Sequence, residues 1–467
     1  MTGLDASFVY FEAPNAPMHV ASLSIYDPST APGGAVTFKG ILDNIDRRLH
    51  LSRVFRQKMV QVPMGLDHPY WVEDSGFDLE FHVRHVALPK PGDWRQLCIQ
   101  VARLHARAVD LNRPLWEVYV IEGLDNVDGV PPGSYALLQK THHAAVDGVS
   151  GMEIMSALND LELDAPPPVD DGTWRPEPDP DPWSLLARAG MNNLRRPVHF
   201  ARVLGRTVPT LGRAQQRLRR NELKPPPLGV PRTRFNGNIS AHRVVDACFL
   251  PLAEMRAIKS AVPGATINDA VLAVVGGALR RYLMAKGELP DAPLVSMAPI
   301  SVRSEGQMKA AGNQVTAMIV LLGTDIADPL ERLAAVRQST HEQKEFSSAI
   351  GAAALAEYSE FLPGGLAALA ARTAGRFEMA NRTIPMMNTV VTNIPGPQVP
   401  LYSGGAHLVR IMGLGPITDG MGIIHPIVSY CGQLVISFTA CREMMPDPAF
   451  YASCIQESFD ELALATR

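Results

Sequence analysis

Three scarcities bound the chain before any motif is read: cysteine, charge of either sign, and long apolar runs. The five cysteines among 467 residues (Cys98, Cys248, Cys431, Cys441 and Cys454) are odd in number and never form a Cys-x-x-Cys pair. This argues against a disulfide framework and a zinc ribbon, and fits a reducing compartment. Charged residues make up 19% of the chain and the net charge is -4, so no field draws a polyanion and nucleic acid is not an expected partner. The opening Met1-Thr2-Gly3-Leu4-Asp5 has no basic segment followed by an apolar core, so no secretory signal is expected and the cytoplasm is. A membrane-spanning helix needs roughly 20 apolar residues. The best stretches are interrupted, Ala349 to Ala371 by Glu357, Glu360 and Pro363, and Ala270 to Ala285 by Arg280 and Arg281.

What the chain does have is apolar content, 46% of 467 residues, which allows two domains of roughly 200 residues each. Between Asp164 and Pro182 the composition turns to Pro, Asp and Gly, which cannot bury a core and reads as linker. From Trp183 to Lys224 follow nine arginines (188, 195, 196, 202, 206, 213, 217, 219 and 220) and one acid, Glu222, interleaved with leucines, valines and Phe200. This pattern reads as basic amphipathic helix interrupted at Pro197 and Pro209, closed by Pro225-Pro226-Pro227. The expected division is an N-terminal domain over 1–164, a connecting segment over 165–234 and a C-terminal domain over 235–467. The arginines allow two readings: a solvated face that keeps a connecting helix soluble, or attachment to an anionic membrane or lipid-droplet surface.

Periodicity predicts helices over Asn268 to Leu283, capped by Thr266, and over Asp328 to Lys344. Strands are expected at Val315 to Leu322 and Thr389 to Thr392, with a hairpin pairing Ile424 to Tyr430 and Gln433 to Thr439 around Cys431-Gly432. The class is mixed α and β.

The chemistry-bearing segment is Thr141-His142-His143-Ala144-Ala145-Val146-Asp147-Gly148. Ser134 to Thr141 reads as a buried strand. Ser150-Gly151-Met152-Glu153 has the spacing of a capping box, and Met152, Met155, Leu158 and Leu161 form a stripe at helical spacing. The histidines therefore fall in a strand-to-helix loop, where adjacent side chains point opposite ways and one imidazole can face a cleft. Histidine suits the removal of a proton from an alcohol that attacks a carbonyl. The alternative is that both are ordinary loop residues, with Asp147 and Gly148 closing a turn. A metal is not expected, because His143 and Asp147 supply two ligands and zinc usually takes three from protein. No Gly-x-Ser-x-Gly elbow supports serine chemistry.

Taken with its surroundings, the segment resembles the bacterial wax ester synthase/diacylglycerol acyltransferase family, whose signature is His-His-x-x-x-Asp-Gly. Pro114-Leu115-Trp116, Asn268-Asp269-Ala270-Val271-Leu272 and Thr392-Asn393-Ile394-Pro395-Gly396-Pro397 are similar to further elements of that family, in the family's order. So are Leu4-Asp5-Ala6-Ser7-Phe8 with Pro17-Met18-His19-Val20, and Pro299-Ile300-Ser301-Val302-Arg303. Thr392 stands where the family often has Ser and Ala270 where it often has Val. The resemblance implies an α/β fold of two chloramphenicol-acetyltransferase-like domains, as in peptide-synthetase condensation domains, with the active-site tunnel between them.

It also implies acyl-CoA-dependent transfer to diacylglycerol or a long-chain alcohol, with acyl-CoA as co-substrate and no bound cofactor. On this reading His143 is the base, and His142, Asp147 and Gly148 complete the catalytic loop. Asp147 pairs with an arginine for which Arg303 is the candidate, and Asn268 is the candidate for the oxyanion. Pro114, Leu115, Trp116, Asp269, Asn393, Pro395 and Gly396 are the candidate substrate-binding residues, although capping explains Asn268-Asp269 and core packing explains Pro114-Leu115-Trp116 equally simply. The expected location is the inner membrane face or lipid bodies, held peripherally. Rival readings are a silent lipid-binding protein and an acyltransferase with another alcohol or amine acceptor.

Overall fold

The computed structural model describes all residues from Met1 to Arg467 except 147–149, 171, 173–175, 177, 228, 302–314, 351–357, 362–368, 370–372 and 374–376. The chain groups into two units, each discontinuous in sequence. One comprises Met1–Pro197, Glu360–Ala371 and Pro397–Pro416, the other Val198–Ser359, Arg372–Gly396 and Ile417–Arg467.

The first unit is built on six strands: β1 (His19–Asp27), β4 (Val83–Ala87), β5 (Trp116–Leu124), β6 (Ser134–His142), β11 (Tyr402–Ser403) and β12 (Ala406–Leu414). They lie in the order β11-β12-β1-β6-β5-β4, antiparallel except for the β4–β5 pair. A separate hairpin joins β2 (Gln57–Val60) to β3 (Tyr70–Glu73). β6 is buried at eight of its nine positions, as expected of a strand flanked on both edges and covered on both faces. Lys140, fully buried on β6, is held by the Glu117 carboxylate at 3.2 Å and the Arg107 carbonyl at 2.7 Å, so a charge sits in the sheet without being left unpaired.

The second unit holds β7 (Arg243–Pro251), β8 (Val295–Ser301), β9 (Val315–Leu321), β10 (Thr389–Pro395), β13 (Ile423–Tyr430) and β14 (Gln433–Cys441) in the order β7-β14-β13-β10-β8-β9. The expected hairpin is present. Its two turn residues, Cys431 (φ 42°) and Gly432 (φ 79°), both take the left-handed conformation a two-residue hairpin turn demands. The helix Ile267–Ala285 begins with a capping box between Thr266 and Asp269, and its residues from Asp269 to Leu279 are all buried. It is apolar on every side because it lies inside the core. Gly276 is required there, since a Cβ would stand 2.2 Å from the Leu322 carbonyl oxygen.

The other predicted helix runs from Pro329 to Ile350, and the helix after the histidine loop is Ser150–Leu158. The side chains of Ser150 and Glu153, and with them the expected capping box, lie outside the described residues. One expectation is corrected. Pro197 and Pro209 do not interrupt the arginine-rich segment, which is a single 38-residue helix from Pro182 to Arg219. Both prolines stand on its exposed side, where the carbonyls they leave unbonded can be satisfied by water. Among the described residues no helix is long and apolar enough to cross a membrane.

Candidate active site

The strand β6 delivers the histidine pair. His142 is its last residue, paired across the sheet with His19, and His143–Ala145 form one tight 3-10 turn. The end of the strand is pinned from both sides: the His142 N–H donates to the Leu115 carbonyl at 2.9 Å and the His143 N–H to the Met18 carbonyl at 2.8 Å. Pro114-Leu115-Trp116 therefore meets the histidines through backbone. Its three side chains are buried, with Trp116 stacked on His82 at 4.5 Å and its indole N–H given to the Phe55 carbonyl at 3.0 Å. The Trp116 indole is thus packed with its N–H satisfied, as burial of a tryptophan requires.

The two imidazoles have different surroundings. His142 is fully buried. Its Nδ1 accepts the Ala144 N–H at 3.1 Å and its Nε2 lies 3.2 Å from the Glu12 carboxylate. A ring nitrogen that accepts from an N–H carries no proton, so the proton is on Nε2 and is donated to Glu12. His142 thus has no lone pair to offer a substrate. His143 is half-buried, and its ring stacks face to face on Phe8 at 3.8 Å and 10°. Its Nδ1 is buried with no hydrogen-bond partner among the described residues, so Nε2 is the candidate nitrogen for the substrate proton. Burial, followed in weight by its own backbone and the neighbouring His142, sets its acidity: the net effect lowers the pKa from 6.5 to about 4. The ring is neutral at physiological pH, as a proton acceptor must be.

Phe8 and Glu12 belong to the helix Gly3–Phe11 and its C-terminal cap, and neither is signalled as a site residue by the sequence. Phe8 closes the family-like opening Leu4-Asp5-Ala6-Ser7-Phe8, and Glu12 follows it at a spacing of four residues, which sets two side chains on one helical face.

Asp147, Gly148 and Arg303 are outside the described residues. Asn268 and Asp269, in the second unit, open the helix Ile267–Ala285. Asp269 is buried and committed to the cap: one oxygen takes the Thr266 N–H at 2.7 Å, the other the Thr340 hydroxyl at 2.6 Å. Asn268 is half-buried beside it. Asn393 and Pro395 are on β10, paired in parallel with Ile427 and Ser429. Gly396 follows that strand, where a Cβ would lie 2.2 Å from the Ser429 carbonyl oxygen. No group of three or more metal-ligating side chains occurs among the described residues.

Comparison with known proteins places this geometry in a wider set. Residues 1–271 match the family profile described as the wax ester synthase/diacylglycerol acyltransferase catalytic domain, and residues 311–463 that of the WS/DGAT C-terminal domain. A putative diacylglycerol O-acyltransferase of Mycobacterium tuberculosis (strain ATCC 25618 / H37Rv) is 33% identical over 465 residues, covering 99% of this chain and 89% of the relative. A probable diacylglycerol O-acyltransferase of the same strain is 31% identical over 471 residues, covering 99% and 98%. Among solved structures, a wax ester synthase/diacylglycerol acyltransferase from Marinobacter aquaeolei VT8 aligns with a TM-score of 0.66 at 28% identity, over 99% of this chain and 98% of that one. The first condensation domain of the calcium-dependent antibiotic synthetase aligns with a TM-score of 0.53 at 12% identity, over 99% and 95%, and shares the fold.

Proposed function

This chain belongs to the wax ester synthase/diacylglycerol acyltransferase family, and we propose that its His143 is the general base that moves a fatty acyl group from coenzyme A to the hydroxyl of diacylglycerol or a long-chain alcohol. The observation that carries the assignment is the division of labour in the pair: both nitrogens of His142 are engaged, while His143 is neutral and its ring is not held by a side-chain hydrogen-bond partner among the described residues.

The reaction is a direct transfer. Nε2 of His143 takes the proton of the alcohol as its oxygen attacks the thioester carbonyl carbon. The tetrahedral intermediate collapses with cleavage of the carbon–sulfur bond, and the imidazolium returns the proton to the departing thiolate. The products are an ester and free coenzyme A, and no residue is acylated. Acyl-CoA is a co-substrate, with no cofactor taking part. Asn268 is proposed as the hydrogen-bond donor to the oxyanion, and Asp147 with Arg303 as the pair that holds the loop.

The surface at which such a lipid alcohol would be met is proposed to be bound by the helix Pro182–Arg219. At ~100° per residue, the buried positions Leu185, Ala189, Val203, Thr207 and Ala214 fall in one sector about 40° wide. Arg196 sits on that same side, paired with Asp67 at 2.8 Å. Opposite lies an exposed apolar stripe of Trp183, Met191, Leu194, Val198 and Val208. Between the two, Arg188, Arg195, Arg202, Arg206, Arg213 and Arg217 form a row about 60° wide, while Arg219, the last residue of the helix, falls within the apolar stripe. An apolar stripe edged by cations fits an anionic lipid surface.

The reaction is tested with labelled palmitoyl-CoA and either a diacylglycerol or hexadecanol, following neutral lipid and free thiol in wild type and His143→Ala. Triacylglycerol or wax ester that appears with wild type and vanishes in the variant supports the assignment. Equal turnover by the variant overturns it. Absence of both ester and thiol from wild type, across acyl lengths and with vesicles present, leaves a lipid-binding protein.

A further inference from the structure

We infer that Glu12 is a positioning residue for the acyl transfer: its carboxylate fixes His142 in one tautomer, and through His142 fixes the turn that carries His143. The inference rests on the reading of His143 as the base and concerns how that base is held.

Three links make the chain of contacts. Glu12 caps the helix Gly3–Phe11 and sets its Oε2 3.2 Å from Nε2 of His142. His142 answers on its other nitrogen, where Nδ1 accepts the Ala144 N–H at 3.1 Å. Ala144 is the middle residue of the turn His143–Ala145, so that bond sets the conformation of the backbone immediately after His143. Phe8, four residues before Glu12 and on the same helical face, stacks on the His143 ring itself at 3.8 Å. One helix therefore grips both imidazoles, one by charge and one by ring contact, while β6 anchors the same two residues by backbone.

The energetics separate this from an ordinary structural ion pair. The Glu12 side chain is 11% exposed and His142 is fully buried. The second carboxylate oxygen, Oε1, is buried with no partner among the described residues. A desolvated carboxylate with one oxygen unanswered is a poor device for stability, because an apolar or amide side chain would avoid the desolvation. What the carboxylate supplies is direction. With the acceptor at Nε2, the imidazole must carry its proton there and present Nδ1 as a lone pair, the only form that can receive the Ala144 N–H. Without it, the ring can take the other tautomer, and two N–H groups then face each other in the turn. This is the way a second group orients the base in a catalytic triad, applied here to the neighbour of the base.

The test compares Glu12→Ala with Glu12→Gln in the full chain. The amide oxygen of Gln can still accept from Nε2, so Glu12→Gln is expected to hold kcat within a few-fold of wild type. Glu12→Ala is expected to lower kcat on the order of 10- to 100-fold with KM nearly unchanged. Its melting temperature should not fall in proportion. A double variant with His142→Ala should be no slower than either single variant, since both remove the same link. Nitrogen-15 spectra of the substrate-free protein supply the readout that activity does not. The His142 signals should report the Nε2–H tautomer in wild type and Glu12→Gln, and a mixture in Glu12→Ala. Wild-type kcat in Glu12→Ala, additive losses in the double variant, or an unchanged His142 tautomer in Glu12→Ala would each overturn the inference. Turnover by His143→Ala would instead overturn the reading of the base, and the tautomer measurement would still decide the role of Glu12.

Discussion

Each unit contains a histidine, half-buried in the first and fully buried in the second, whose acidity is shifted in the same direction, and the two are used differently. In the second unit, His425 lies inside β13, fully buried. Its Nδ1 is 2.9 Å from the Thr389 hydroxyl and its Nε2 2.7 Å from the Tyr451 hydroxyl. Burial lowers its pKa from 6.5 to about 3. In the first unit, burial takes His143 to about 4. A neutral imidazole is therefore not what marks a base, since desolvation produces one wherever a histidine is buried. The mark is a lone pair left over. Tyr451 and Thr389 occupy both nitrogens of His425, whereas His143 has Phe8 stacked on its ring face and, among the described residues, no hydrogen-bond partner at Nδ1. The same contrast is repeated at close range between His142 and His143.

The comparison breaks most visibly by removing each ring. His143→Ala is expected to lower kcat roughly 100- to 10,000-fold, the usual worth of a general base, with little change in melting temperature. His425→Ala is expected to leave kcat in place and to cost about 2–4 kcal/mol, because the cavity and the unpartnered Tyr451 hydroxyl are both penalised. Denaturant midpoints and turnover measured on the same two proteins check both halves. Loss of turnover in a well-folded His425→Ala would dissolve the distinction.

Acid offers a second cut. Below about 6.5, the unfolded chain protonates these histidines while the folded chain keeps them neutral, down to about 4 for His143 and about 3 for His425. The unfolded state then binds more protons, so their contribution to stability is complete above pH 6.5 and declines as pH falls through that window. Unfolding free energies measured across it should slope downward toward acid, and His425→Gln should flatten the slope by about one proton. An unchanged slope would show that His425 is not the group titrating. The acid limb of kcat/KM should have its inflection near 4, well below the ordinary histidine value.

How much of this was legible depends on how far along the chain the responsible forces reach. The strand ending at the histidines, the hairpin at Cys431-Gly432 and the Thr266 cap were readable, because alternation, left-handed turn residues and capping are local. Residues 402–414, by contrast, supply β11 and β12 to the sheet that begins with β1, and no composition marks that pairing. The tolerance of Pro197 and Pro209 depended on which side of the helix faces water. The site was legible as a motif and opaque as a mechanism. Which histidine keeps its lone pair is decided by Glu12, 130 residues away, and Asp147, Gly148 and Arg303 fall outside the described residues.

The adjacent pair Asn268 and Asp269 carries the comparison of structural with chemical roles into the second unit. Asp269→Ala removes the capping box and the Thr340 contact, and is expected to cost about 1–2 kcal/mol in stability. Asn268→Ala is expected to spare stability and lower kcat, as loss of an oxyanion donor does. Equal turnover in Asn268→Ala would remove it from the mechanism.

The smallest expected effect is also the most specific to the contrast between His143 and His425. Phe8 lies over the face of the His143 ring, where it shields the ring from water without answering a nitrogen. Phe8→Ala opens that side of the ring. Water can then solvate the imidazolium, the desolvation that lowers the pKa from 6.5 to about 4 is partly relieved, and the folded-state value rises. At neutral pH the base is still unprotonated, so kcat should fall only a few-fold, from looser placement of the ring. The acid limb of kcat/KM should move toward higher pH by a measurable fraction of a unit. A variant that slows the reaction equally at every pH would show that Phe8 only positions the ring. A shifted limb would show that this one aromatic contact also sets the proton affinity of the base.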